Sequence, residues 1–197
     1  KTNDPHGWLG IRFQLSPGGE PNDIVFHVRL LDSDSNLQQN VLGILGVNLV
    51  YAAYYYHDDV QSMIESLVDN LAIGSVEIDL ISLSGPEFKN ANDRLVNLYL
   101  IAKGFSGAAI FDKNGHARQS KDVLYKKDVM ILRTKFGQKS TPNCELFNKA
   151  VEQFKQTQKV NDKNIIVMIE VLMTNFLEDK SELSNEDLEK FAKRAEE

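Results

Sequence analysis

The chain has 197 residues, 42% of them hydrophobic, with 28 Asp and Glu against 22 Lys and Arg, for a formal net charge of −6. That size suits one globular domain with a small extension, and the acidic balance excludes a general nucleic-acid binder, which needs Lys and Arg concentrated along a groove. A single cysteine, Cys144, allows no internal disulfide and favours a reducing, cytoplasmic setting.

Residues 1–7 are polar and carry no signal-peptide pattern. Residues 8–15 and 24–31 alternate in the period-two manner of strands. Leu9, Ile11, Phe13 and Leu15 mark one face of the first, and Ile24, Phe26, Val28 and Leu30 one face of the second. The turn formers of 16–22, Ser-Pro-Gly-Gly-Glu-Pro-Asn, join them, so an antiparallel hairpin is expected. Its other face gathers Arg12, Gln14, His27 and Arg29, a set suited to a carboxylate or phosphate, or to acidic partners in the same chain.

The stretch 37–56, LQQNVLGILGVNLVYAAYYY, is almost unbroken apolar or aromatic from Val41 onward. A helix apolar all round must be enclosed by the fold or by lipid. Asn48 and a length short of the roughly 18 to 20 residues of a span argue for the fold and against a membrane span. Ser35 with Gln38 three residues on reads as a capping box. Gly43 and Gly46 each cost about 1 kcal/mol in a helix, which points to another backbone crossing close by. Tyr51, Tyr54, Tyr55 and Tyr56 ring its end, as a pocket wall or as core with its hydroxyls outward.

Residues 60–71 read as an amphipathic helix stopped by Gly74, and 76–83 as a strand with Val76, Ile78 and Leu80 on one side and Glu77 and Asp79 on the other. Such an E-x-D pair can hold a divalent metal through oxygen ligands, or can face Arg12 and Arg29. Asn92 or Asp93 caps a helix running to about Lys103. A short strand follows at 108–111, with a turn at Asn114-Gly115 and a returning partner at 116–118.

The most basic stretch holds Lys121, Lys126, Lys127, Arg133, Lys135 and Lys139 around a strand at 129–132. It reads as an anion site or as a solvated surface. Thr141-Pro142 opens a helix with Cys144 in its first turn, residues 165–172 read as a strand buried on both faces, and Glu170 there needs a basic partner. Ser184, with Asp187 three residues on, caps a final helix.

Strands alternating with helices, with hairpins among them, indicate an α/β fold (α+β being the neighbouring class): a mixed sheet with an N-terminal hairpin packed around a buried central helix. Residues 1–180 are expected to form a single domain and 181–197 a helix leading towards a further domain. No Walker A, G-x-G-x-x-G, H-E-x-x-H, C-x-x-C or G-x-S-x-G motif is present, and no catalytic set can be named.

The segments PHGWLGIRFQ, PGGEPN, LQQNVLGILGVNLVYAA, VEIDLISLSGPEF, NDRLVNLYLIAKG and LYKKDVMILR together resemble the central part of a family of long bacterial proteins. Members often carry the names nicotinate-nucleotide adenylyltransferase or TonB-dependent receptor. The resemblance implies a soluble segment with further sequence on both sides and flanking domains as partners; it transfers no catalytic residues. The H-x-G-H phosphate site of such adenylyltransferases has no counterpart here, since Ser16-Pro17-Gly18-Gly19 follows the first strand.

Two functional readings result. In the first, the chain is a module that binds a partner domain or a small anionic ligand, through Arg12, Gln14, His27, Arg29, Lys126, Lys127 and Arg133. In the second, it is a nucleotide-handling, adenylyltransferase-like domain that holds Mg²⁺ on Glu77 and Asp79. A homo-oligomer built on the Gly43/Gly46 face is a third arrangement.

Overall fold

In the computed structural model, residues 5–72, 74–134, 144–158, 164–172 and 184–194 are described. β1 (His6–Phe13) and β2 (Asn22–Leu30) form the expected antiparallel hairpin, and β3 (Val76–Ser84) joins the other side of β2, giving the order β1-β2-β3. The register sets Leu9 opposite Phe26 and Ile11 opposite Ile24, so the apolar sets of both strands share one face. β1 begins two residues earlier than the alternation suggests and stops at Phe13. His6 therefore lies in the sheet, while Leu15 lies beyond it and is exposed.

α1 (Ser35–Tyr55) packs on β1 and β2, and buries Val41, Leu45, Leu49, Ala52 and Ala53 at helical spacing. Its cap is Asp34, whose carboxylate accepts from the N–H groups of Asn36 and Leu37; the Gln38 side chain donates to the Asp32 carbonyl. Asn48 donates to the Leu67 and Asp69 carbonyls beyond α2 (Val60–Ser66), satisfying orphan acceptors at that helix's exit. Each side chain as fully buried as Leu45, Met63 or Ile64 contributes about 1.5–3 kcal/mol to this core.

Two expectations about α1 need correction. It is not enclosed on all sides, since Val47, Val50, Tyr51, Tyr54 and Tyr55 are exposed. Among the described residues no backbone crosses at its glycines either: a Cβ added at Gly43 or Gly46 meets open space. Three-stranded sheet and α2 together cover only one side of a helix that is apolar all round.

α3 (Asp93–Ala102) is capped by Asn92 and packs on β3 and α2. It closes the outer edge of β3 with a side chain. Asn97 accepts from the Ile81 N–H and donates to the Ile81 carbonyl, both at 2.9 Å, while the Ile78 N–H donates to the Phe105 carbonyl. An edge strand's unpaired groups are thereby satisfied within the chain. A small hairpin, β4 (Ile110–Phe111) with β5 (Ala117–Arg118), is tied to α3 where Asp93 accepts from the Ala117 N–H.

The chain divides into two units, Lys1–Gln119 with Ser184–Glu197, and Ser120–Leu183. In the second unit α4 (Ser120–Leu124) precedes β6 (Asp128–Thr134), α5 (Cys144–Gln158) and β7 (Ile165–Val171), a parallel strand pair with a helix between its strands. Arg133 and Glu170 pair across the two strands at 2.6 Å. Residues 165–172 are not buried on both faces; Ile169 is 60% exposed. The proposed cap Thr141-Pro142 lies outside the described residues.

α6 (Asn185–Arg194) belongs to the first unit. Ser184 accepts from the Asp187 N–H and donates its hydroxyl hydrogen to the Asp187 carboxylate, a reciprocal cap. The helix packs on α3: Leu188 and Ala192 are buried, and Arg94 donates to the Ala192 carbonyl.

Candidate functional site

The polar side of the β1-β2-β3 sheet carries most of the chemistry, and a local irregularity organises it. Between the pairs His27–Leu80 and Val28–Ile78 the register shifts by one residue, leaving Asp79 as the extra residue of a β-bulge. The bulge breaks the alternation expected of β3, so Leu80 and Ile81 are both buried. It also aims Asp79 at the ring opposite: Asp79 Oδ1 lies 2.6 Å from His27 Nδ1.

The second nitrogen of that ring is engaged as well. His27 Nε2 lies 3.0 Å from His6 Nδ1, and the two rings are tilted, with centroids 5.1 Å apart. Trp8, directly opposite His27 in the register, meets its ring edge-on at 5.0 Å. The His27 side chain is 2% exposed, whereas His6 and Trp8 are open to solvent. The result is a line from a bulge carboxylate, through a buried imidazole, to a surface imidazole.

The expected basic groups are distributed differently. Arg29 pairs with Glu77 at 2.6 Å, directly across β2 and β3. Arg12 makes a two-bond contact with Asp23 at 2.7 and 2.9 Å, and Ser84 donates to the same carboxylate. The Arg12 guanidinium holds the Asp23 carboxyl below the usual carboxylate range. Arg12 stands opposite Asp23 while Arg29 stands opposite His6, six positions along the hairpin, or about 20 Å at the rise of a strand. Two arginines that far apart do not converge on one small anion.

Gln14 lies past the end of β1 and donates to the Gly19 carbonyl within the loop. Lys126 has a positive φ of 53° and sets its ammonium over the Tyr125 ring. Lys127 follows in the same turn, hydrogen-bonded through its backbone to the Leu124 carbonyl, and Arg133 is held by Glu170. Lys135 and Lys139 lie outside the described residues. Glu77 and Asp79 do share the polar side, but one is held by Arg29 and the other by His27. Among the described residues no three His, Cys, Asp or Glu side chains converge as a ready-made metal cluster. Asp59 caps α2.

Compared with protein-family models, with curated proteins and with solved structures, the chain matches none.

His6 and Trp8 are the members of the site that the sequence reading passed over. Their signal was the strand period: counting back by twos from Arg12 through Gly10 and Trp8 reaches His6, on the same side as His27.

The second surface feature is the open face of α1. Gly43, Val47, Val50 and Tyr54 recur at spacings of four, three and four, a seam like that of a coiled coil. Val47 is 69% exposed and Tyr55 67%, and no charged residue occurs between Ser35 and Tyr56. Tyr51 stacks on Tyr55 at 4.4 Å and Tyr54 leans on Phe13 at 5.6 Å, so the aromatic end is held in place. Among the described residues no helix is long and apolar enough to cross a membrane.

Proposed function

We propose that the chain is an interaction module and that the open face of α1 receives a second copy of the same chain. The observation that carries this reading is the grading of that uncharged face from small to large. Gly43 and Gly46 make its first half shallow, while Val50, Tyr51 and Tyr54 make its second half bulky. About 16 Å of helix axis separates Gly43 from Tyr54. Two copies related by a two-fold axis, with their helices antiparallel, set the tyrosines of each over the glycines of the other. The interface is then self-complementary, as a two-fold contact requires. A large uncharged exposed patch is also the usual mark of a protein contact.

The readings as a binder of small anions and as a Mg²⁺-dependent transferase draw on Arg12, Arg29, Glu77 and Asp79. Arg12 and Arg29 are ion-paired with Asp23 and Glu77, and Asp79 is held by the His27 ring, so neither reading gains support from them. The resemblance to long bacterial proteins adds flanking domains as further partners on the same reading.

Sedimentation equilibrium over a hundredfold range of concentration tests the proposal. The expected result is a rise from monomer towards dimer mass, abolished in Val47→Arg and Gly46→Arg. Both positions are open, so the variants should melt like the parent. A parent that stays monomeric throughout, or a dimer indifferent to both substitutions, overturns it.

A further inference from the structure

We propose that His6 and His27 form a two-nitrogen site for a divalent transition metal of the zinc, nickel or copper type. Three features of the geometry point to it. First, Asp79 fixes the tautomer of His27: the carboxylate takes the Nδ1 hydrogen at 2.6 Å, which leaves the lone pair of the neutral ring on Nε2. A carboxylate behind a histidine in this way orients metal-binding imidazoles and raises their basicity. Second, that Nε2 faces Nδ1 of His6 at 3.0 Å. Two ligands at 2.0–2.1 Å on a tetrahedral ion stand about 3.3 Å apart with the ion off the line between them, so opening the pair by about 0.3 Å and turning the exposed His6 ring admits the metal.

Third, the surroundings favour a cation without supplying a competing one. Arg29, across from His6, is neutralised by Glu77, so the remaining local charge is that of Asp79. The buried His27 ring is held by the sheet and by Trp8, while His6 sits at the surface. The protein thus gives two rigidly based donors, and water or a bound molecule completes the shell. Imidazole donors select zinc, nickel and copper over magnesium and calcium, which prefer oxygen.

Binding displaces the hydrogen held between the two rings, and the neutral His6 ring keeps that hydrogen on Nε2, its nitrogen away from the metal.

The test is calorimetric titration of the purified chain with Zn²⁺ and with Ni²⁺, paired with nitrogen NMR of the histidine side chains. The expected result is one equivalent bound, with shifts confined to His6 Nδ1 and His27 Nε2, and no uptake of Mg²⁺. His6→Ala and His27→Gln should each weaken binding at least tenfold. Asp79→Asn should weaken it by about 10- to 100-fold. His57→Ala and His116→Ala should leave it unchanged. His6 is exposed, so its variant stays informative even if His27→Gln fails to fold. Absence of binding, or binding that survives His6→Ala or follows His57 or His116, overturns the proposal.

Discussion

Asp79 Oδ1 reaches to 2.6 Å from His27 Nδ1 because β3 carries one residue more than β2 between two consecutive pairs of their ladder. An uninterrupted ladder would place a single residue opposite His27. The bulge places two there, one an apolar side chain and the other a carboxylate that meets the buried ring.

Removing that carboxylate leaves a buried imidazole N–H without its acceptor, which costs about 1–3 kcal/mol. Asp79→Ala should therefore lower the unfolding free energy by that amount, seen as a lower urea midpoint at unchanged slope, whereas Asp79→Asn, which keeps an acceptor oxygen, should lose less. Equal losses in the two variants would show that the charge of the carboxylate is what the His27 ring requires, since asparagine keeps both the bulk and an acceptor oxygen.

Asn97 performs at the sheet edge what a neighbouring strand would otherwise do. It is 1% exposed and meets both backbone groups of Ile81. Asn97→Ala orphans a buried donor and a buried acceptor together, so a loss of about 2 kcal/mol or more is expected. Hydrogen exchange gives the sharper readout: the Ile81 amide should lose protection in the variant, while that of Leu45 in α1 changes only with global stability.

Much of the frame was legible from residue order alone. The hairpin, the capped α3, the antiparallel pair around Asp112 and the reciprocal Ser184/Asp187 cap all follow from local chemistry. The partner of Glu170 was legible as a type, and the structure names it as Arg133. Other features depend on tertiary context. The bulge at Asp79 leaves no mark in a sequence that reads as plain alternation, and it is what converts a candidate metal carboxylate into a partner of His27. The apolar run of α1 reported burial all round, but hydrophobicity cannot say whether the covering surface comes from the same chain. The two-unit division was hidden because residues 119–120 carry no Gly, Pro or linker composition.

Glu65, Tyr99 and Lys103 form a cluster on α2, α3 and the turn after it, with Glu65 2.7 Å from the Lys103 ammonium and bonded to the Tyr99 hydroxyl. The Lys103 contact and then the Tyr99 bond hold the Glu65 carboxyl below the ordinary carboxylate range. A lowered folded-state pKa contributes stability above the unfolded value, and that contribution is lost as pH falls through the folded one. For Lys103, raised chiefly by Glu65, the sign is opposite: its contribution is complete below the unfolded value and is lost as pH rises through the raised one. Glu65→Gln should thus be less stable than the parent between about pH 5 and pH 9, and the two curves should merge in acid. Both charged side chains are nearly half exposed, so the gap should stay under about 1 kcal/mol and shrink with salt. A gap that persists at the lowest pH would assign it to the lost shape of the carboxylate and not to its charge.

Three glycines separate backbone strain from space, and alanine at each should give a different answer. Gly85 has φ of 111°, and a Cβ there would lie 2.6 Å from both the Asn22 side-chain oxygen and the Pro21 carbonyl. The neighbours are backbone and an Asn22 carboxamide already bound to the Glu87 N–H, so neither can retreat cheaply. Gly85→Ala adds this clash to the conformational cost and should lose about 3 kcal/mol or more. Gly104, with φ of 75° after the cap of α3, has open space around its Cβ position. Its alanine variant meets only the left-handed backbone penalty and should lose about 1 kcal/mol. Gly43 lies inside α1 with helical backbone and open space, so at concentrations where the chain is monomeric Gly43→Ala should raise stability by about 1 kcal/mol. Denaturant midpoints of the three variants, measured side by side, check the order. At concentrations where the antiparallel pair of copies forms, the tyrosines of the second copy lie over Gly43, so the gain from Gly43→Ala should shrink or reverse; a gain that holds at every concentration would count against that pairing.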